Sequence, residues 1–304
     1  MKKLVFTGSG VALVTPMRQD GSINYDLLSD LIEFHIKNGT DSIVACGTTG
    51  ECAVLSHDEH CKVIKFTVDK VNKRIPVVAS SGSNDTNYAL ELSRSALELG
   101  ADALLMVTPY YNKTSQAGLV KHYHYVADRV DLPIIVYNVP SRTGCNIQPE
   151  TYLELSKHPN IVATKEANGD ISSVAKTNSL CGDNLAVYSG EDSQTLPMLV
   201  LGGKGVISVF ANILPNTMHK ICADYFAGDI ASSRKSFLEY YELMEALFMD
   251  VNPIPVKAAL KMLGVDCGEC RLPLTNMSPE KEEQLASVLK KYQLQELSIK
   301  SLSL

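Results

Sequence analysis

Eight short apolar segments, each followed by an amphipathic one, constrain this chain more than any other feature. They fall at residues 11–15, 42–46, 76–80, 103–107, 133–137, 161–165, 186–189 and 205–208, at intervals of about 20 to 35 residues. Runs that are apolar on both faces suit the strands of a parallel sheet, which helices cover on each side. The intervening segments read as those helices. Leu27, Leu28, Leu31, Ile32 and Ile36 keep helical spacing. Ser56 with Glu59 three residues on is a capping box opening the next helix. Leu92, Ala96, Leu97 and Leu99 end at Gly100, a residue suited to close a helix, and Pro149 suits a first helical turn. Eight βα units are the number that closes a barrel, so the predicted class is α/β, a (β/α)8 TIM barrel.

A doubly wound open sheet is the rival topology. It lacks support, because Gly8-Ser9-Gly10 precedes the first apolar run and Leu13 stands where a third glycine would bind a dinucleotide. Gly202-Gly203-Lys204-Gly205 lacks Walker spacing and reads as a tight turn into the last strand. From Asn212 onward the pattern is helical, over residues 214–226, 230–249, 255–263 and 279 to about 301. That is more helix than a barrel needs. The expected organisation is a catalytic barrel over residues 1–229 and a C-terminal helical appendage over 230–304.

Composition narrows function mainly by exclusion. The 304 residues are 45% hydrophobic and 20% charged, enough for a large core. Net charge is −6, from 28 basic and 34 acidic residues, without a basic run, which argues against nucleic acid or an anionic membrane as partner. Lys2-Lys3 precedes too short an apolar run for a signal peptide, and no run reaches transmembrane length, so a cytoplasmic protein is expected. Eight scattered cysteines fit reduced core thiols. Cys267-Gly268-Glu269-Cys270 is a single CxxC without further ligands, so no metal is expected.

Chemistry in a barrel sits at the C-terminal ends of the strands. The sixth segment, Ile161-Val162-Ala163-Thr164-Lys165, ends in a lysine. By strand alternation Ile161, Ala163 and Lys165 share one face. An inward lysine loses solvation, is neutral more often, and as a neutral amine attacks carbonyls. The alternative is an ordinary strand-edge lysine paired with Glu166 and reaching to water. The second segment runs into Gly47-Thr48-Thr49-Gly50-Glu51, where two hydroxyls and free N–H groups can cradle a carboxylate, or simply form a turn. The fourth runs into Thr108-Pro109-Tyr110-Tyr111-Asn112, and the fifth into Tyr137-Asn138-Val139-Pro140-Ser141-Arg142-Thr143-Gly144. Tyr137 shares parity with Ile135, which puts a phenol at the barrel mouth if both face inward. Arg142 in the loop above suits a bidentate grip on a carboxylate. Together these residues describe an imine-forming site for an anionic keto acid, with a phenol to move protons.

Over nearly its whole length the sequence resembles the dihydrodipicolinate synthase family of the class I pyruvate-dependent aldolases. The motifs that carry the resemblance are GTTGE at 47–51, YNVPSRTG at 137–144, ATKEA at 163–167 and SGEDSQTLP at 189–197, with Gly10-Val11-Ala12-Leu13-Val14-Thr15-Pro16 at the start. The arginine in YNVPSRTG is the sharper mark, since sialic-acid lyases usually carry other residues there. The resemblance implies a Schiff base between Lys165 and pyruvate, with Tyr137, Thr48 and Tyr111 as proton relay, Tyr111 coming from a neighbouring subunit. It implies that Thr49 and the N–H groups of Thr48 and Thr49 hold the pyruvate carboxylate. Arg142 would bind the carboxylate of aspartate semialdehyde, and Gly190 and the Ile207 carbonyl would line the pocket. No cofactor is implied. The assembly implied is a homotetramer, a dimer of tight dimers, and the product belongs to lysine and diaminopimelate biosynthesis.

Some members of that family are inhibited by lysine between subunits. His57, His60, Asn84 and Tyr110 match that site, whereas Tyr88 replaces a usual glutamate and Cys52 a usual serine. Weak or absent lysine inhibition is therefore expected. Two other functions fit less well: an N-acetylneuraminate lyase, which would not need Arg142, and a keto-acid sensor, which would not need Tyr137 and Lys165 together.

Overall fold

The computed structural model describes residue 2, residues 4–294 and residue 297. Its eight strands are β1 (Gly8–Ala12), β2 (Ser42–Ala45), β3 (Val77–Ser80), β4 (Ala103–Val107), β5 (Ile134–Asn138), β6 (Ile161–Glu166), β7 (Ala186–Ser189) and β8 (Gly205–Ser208). Each pairs in parallel with the next, and β8 pairs with β1 to close the barrel. A (β/α)8 architecture follows from the alternation of buried strands and amphipathic helices. Between β2 and β3, for example, the helix His57–Val71 starts with both arms of the capping box made: the Glu59 N–H donates to Ser56 Oγ, and the Ser56 N–H donates to Glu59 Oε2. Gly100 follows the helix Thr86–Glu98 with φ +87°, the left-handed turn that glycine takes freely.

The strands bury two distinct apolar layers. Ile43, Val77, Leu104, Met106, Val136 and Val206 face the helices. Val44, Val78, Leu105, Ile135, Tyr137, Ala163, Tyr188 and Ile207 fill the barrel interior. Phe6 plugs the N-terminal end, its ring stacked on Tyr188 at 4.3 Å while the Tyr188 hydroxyl donates to the Phe6 carbonyl at 2.6 Å. Only the other end of the barrel is left for chemistry.

Three expectations change. The first strand spans Gly8–Ala12 rather than residues 11–15. Gly8 and Gly10, placed before the first apolar run by the sequence, belong to the strand, where neighbours crowd them: a Cβ on Gly8 would lie 2.2 Å from Asp41 Oδ2, and one on Gly10 would lie 2.7 Å from the Phe6 ring. Ile161 faces the outer layer, not the interior shared with Ala163, because an irregularity pairs Ile134 with Ile161 but Ile135 with Ala163. One residue of β6 is skipped, and alternation holds only from Ala163 onward. Finally, the helix expected over 230–249 is two helices, Ile230–Glu239 and Tyr241–Ala246. The chain turns at Tyr240, whose ring stacks on Tyr292 and tilts against Phe210; packing overrides local propensity there.

The last helix is Pro279–Lys291. The stretch expected to continue it to about residue 301 lies largely outside the described residues. Another helix, Ile254–Met262, brings its N-terminal approach back over the mouth of the barrel. No helix among the described residues is long and apolar enough to cross a membrane.

Candidate active site

β5 and β6 set the centre of the site. Tyr137 and Lys165 are register partners on the two strands, and both point inward. Lys165 Nζ lies 4.4 Å from the centroid of the Tyr137 ring. Only 6% of Lys165 is exposed, and burial brings its ammonium down to about 8. The negative charge of Asp192 opposes that fall, Arg142 adds to it, and Glu191 opposes it. Burial likewise pushes the Tyr137 phenol up to about 12, tempered by the Arg142 charge and by a hydrogen bond with the Thr48 side chain. The phenol therefore stays protonated at neutral pH while a usable fraction of the amine is free.

On the outer face of β6 the neighbours are different. Glu166 is held among the Tyr152 hydroxyl at 2.7 Å, the Asn138 amide at 2.9 Å and the Asn168 N–H at 3.0 Å. Burial raises its carboxyl to about 7 in spite of these donors. Glu166 is thus not the partner of Lys165, and the reading of that lysine as an ordinary strand-edge group paired with it fails on geometry. Thr164 shares the outward face, donating to the Tyr152 hydroxyl at 3.1 Å.

The turn after β2 carries Thr48 and Thr49. The Glu51 N–H closes it onto the Thr48 carbonyl at 3.0 Å, and the Thr15 hydroxyl donates to the Gly50 carbonyl at 2.8 Å. Thr49 is buried, and its hydroxyl accepts from the Asn252 side-chain amide at 3.0 Å. Arg142 sits on the short helix Pro140–Thr143 after β5 and donates to the Asn252 carbonyl at 3.2 Å. After β7, Gly190 is packed so closely that a Cβ there would lie 3.1 Å from Lys165 Cε. Ile207 lines the interior from β8.

Tyr111 is the member of the expected set that a single chain does not bring in. It stands 93% exposed on the loop after β4, with φ at +67°, a left-handed backbone that tyrosine rarely adopts. Of the expected regulatory residues, His57 lies beside Tyr88, with ring centroids 5.9 Å apart, and 4.0 Å from the Glu91 carboxylate. His60 turns inward instead, its Nε2 2.8 Å from the Ser80 carbonyl. Asn84 meets the tyrosine loop through its carbonyl, which accepts from the Asn112 amide at 3.0 Å, and Tyr110 is exposed beside it. Among the described residues no three His, Cys, Asp or Glu side chains converge to hold a metal, and Cys267 and Cys270 are free thiols raised by burial.

Three buried polar positions around the candidate site escaped the sequence reading. Asp192 is buried behind Lys165. Its Oδ2 accepts from the Val209 and Phe210 N–H groups at 3.0 and 2.8 Å, its Oδ1 has no partner among the described residues, and burial raises its carboxyl. It lies within SGEDSQTLP, but nothing local in that motif points to Lys165. Asn252 and Lys257 were hidden by distance along the chain. Lys257 sits on the apolar face of its helix with Ile254 and Leu260, and a charge at a core position implies a buried partner.

Comparison with known proteins places nearly the whole chain in one family. Residues 5–292 match the model of the dihydrodipicolinate synthetase family. A curated relative, the 4-hydroxy-tetrahydrodipicolinate synthase of Acetivibrio thermocellus, is 52% identical over 294 residues, 97% of this chain and 100% of its own. The crystal structure of dihydrodipicolinate synthase from Aquifex aeolicus superposes with a TM-score of 0.93 at 46% identity, covering 96% of this chain and 100% of that one. The chloride-inhibited dihydrodipicolinate synthase from Acinetobacter baumannii, complexed with pyruvate, superposes with a TM-score of 0.92 at 45% identity, covering 94% and 99%. With its closed barrel, its buried strand-end lysine and these relatives along nearly all its length, the chain belongs to the dihydrodipicolinate synthetase family and is a lyase of the class I aldolase type.

Proposed function

We propose that this enzyme condenses pyruvate with L-aspartate 4-semialdehyde through a Schiff base on Lys165, giving 4-hydroxy-tetrahydrodipicolinate for lysine and diaminopimelate biosynthesis in the cytoplasm. The observation that carries the reading is the buried Lys165 amine, brought down to about 8 and set over the Tyr137 ring. The neutral amine adds to the keto carbon of pyruvate, and loss of water leaves a protonated imine. That cation is an electron sink, so the pyruvate methyl group loses a proton to give an enamine. The enamine carbon bonds to the aldehyde carbon of the second substrate. The substrate amine then displaces Lys165 as the ring closes.

Tyr137, with Thr48, moves protons in these steps, because a phenol raised to about 12 donates without staying ionised. Thr49 and the N–H groups of the turn hold the pyruvate carboxylate, with Gly190 and the Ile207 carbonyl lining the pocket. Arg142 grips the carboxylate of the semialdehyde. No cofactor or metal enters these steps. Tyr111 completes the relay in a neighbouring subunit of a homotetramer, a role that gives its strained, exposed position a reason. A regulatory site at His57, His60, Asn84 and Tyr110 is part of the same reading. The organisation in this reading is a catalytic barrel over residues 1–229 and a C-terminal region over residues 230–304.

Borohydride reduction in the presence of pyruvate tests the central step. The expected product is one reduced pyruvyl unit per chain, mapped to Lys165 by peptide mass. Folded protein that gains no such mass would return Lys165 to an ordinary lysine. Arg142→Ala separates the acceptors: it raises the KM for aspartate semialdehyde, whereas an unchanged KM would favour a sugar-aldehyde acceptor.

A further inference from the structure

Glu51 and Lys257 form an ion pair sealed from water. Lys257 Nζ donates to Glu51 Oε1 at 2.7 Å, and the lysine and glutamate side chains are 4% and 0% exposed. The second carboxylate oxygen accepts the Arg271 backbone N–H at 2.9 Å, and Lys257 also donates to the Glu269 carbonyl at 3.2 Å. A buried pair of this kind is a poor source of stability, since desolvation of both charges offsets most of their attraction. Its place in the fold points to a different use.

Glu51 ends the turn that presents Thr48 and Thr49. It holds φ +59° and ψ 34°, a left-handed conformation that an L side chain disfavours unless its surroundings impose it. What imposes it here is the C-terminal part of the chain. The Asn252 amide fixes the Thr49 hydroxyl at one end of the turn, and Lys257 fixes the Glu51 carboxylate at the other. Asn252 lies just before the helix Ile254–Met262, and Lys257 lies within it, so one rigid element spans the turn. The Asn252 carbonyl also accepts from Arg142.

We propose that Glu51 and Lys257 are positioning residues: their buried pair locks the Thr48–Thr49 turn to the helix Ile254–Met262 and so sets the site that receives the carboxylate of the keto acid. The inference rests on the Lys165 reading above. It assigns the C-terminal helices a part in substrate binding, which their distance from the lysine along the chain conceals.

The test compares wild type with Glu51→Gln/Lys257→Met, which removes both charges together and leaves neither unpaired. The readouts are thermal midpoint, the pyruvate concentration for half-maximal borohydride adduct, and KM and kcat. The expected result is a folded protein whose pyruvate half-saturation rises about ten-fold or more, in line with the effect of small misplacements at a site, while kcat at saturating pyruvate falls much less. Glu51→Asp keeps the charge but withdraws the carboxylate by one methylene, and a smaller rise in the same quantity is expected. A folded double variant with wild-type pyruvate half-saturation would overturn the proposal. Should the double variant fail to fold, Glu51→Asp with unchanged half-saturation would overturn it equally. If wild type itself forms no adduct, the Lys165 reading falls and takes this one with it.

Discussion

Tyr137 and Lys165 are paired across β5 and β6, with the lysine nitrogen 4.4 Å from the centre of the phenol ring. The ring shields the amine on one side, and its hydroxyl lies beside Thr48. Replacing Tyr137 by Phe keeps the shielding and removes the proton carrier. The expected result is a fall in kcat of about 10²–10⁴-fold, with the Lys165 adduct still formed at saturating pyruvate. Loss of the adduct together with kcat would mean that the phenol is needed to shape the pocket rather than to move protons.

The depressed lysine makes a pH prediction with a definite sign. An amine with its pKa brought from 10.5 to about 8 is about one-tenth neutral at pH 7, against about one part in three thousand for an ordinary lysine. The rate of adduct formation should therefore climb up to about pH 8 and level off above it. In stability the same shift works against the fold at neutral pH. The unfolded chain binds the proton more tightly, so between about pH 8 and 10.5 stability rises with pH. Lys165→Met should be more stable than wild type by about 3 kcal/mol at pH 7. That advantage should shrink to less than half by about pH 9.5. Urea denaturation at the two pH values measures it, and a pH-independent difference would show that the lysine is not held below its ordinary value.

Gly190 limits the space around the same lysine. A Cβ there would sit 2.7 Å from the Ala167 Cβ and 3.1 Å from both Lys165 Cε and the Glu166 carbonyl oxygen. Gly190→Ala should fold, because β7 ends just before it, but the lysine must shift. A loss of about ten-fold or more in the rate of pyruvate adduct formation is expected. Wild-type trapping kinetics in that variant would show that the pocket yields at this point.

The barrel was legible because parallel strands bury both faces and so appear as uninterrupted apolar runs. Tyr137 and Lys165 were legible for a related reason: each polar group closes an apolar strand on its inward parity. The β-bulge at Ile161 was not, since no local residue marks the skipped pairing and only the barrel's curvature requires it. The start of β1 was placed late because Gly8, Ser9 and Gly10 add nothing to an apolar run, although they lie in the strand. Asn252 and Lys257 meet Thr49 and Glu51 from 203 and 206 residues away, a relation that no local periodicity encodes. The role proposed for the exposed Tyr111 needs a second chain, which one sequence does not display.

The proposed regulatory site makes a prediction through Tyr88. It occupies the helix Thr86–Glu98 beside His57, at the position where the resemblance places a glutamate in lysine-sensitive members. Glu91, one turn along the same helix, already faces His57 Nε2 at 4.0 Å. A phenol accepts a hydrogen bond but carries no charge at neutral pH, and burial raises the Tyr88 phenol above its ordinary value. An effector amine thus lacks a charge-assisted bond worth about 1.5–3 kcal/mol. Lysine should inhibit the wild-type enzyme weakly or not at all. Tyr88→Glu should strengthen inhibition by about ten-fold or more while leaving kcat and both KM values without lysine close to wild type, since Tyr88 lies outside the site around Lys165. A lysine titration of the two proteins decides the matter. Strong inhibition of wild type at sub-millimolar lysine would mean that Glu91 or a partner subunit supplies the missing charge, and that the glutamate-to-tyrosine replacement does not govern sensitivity.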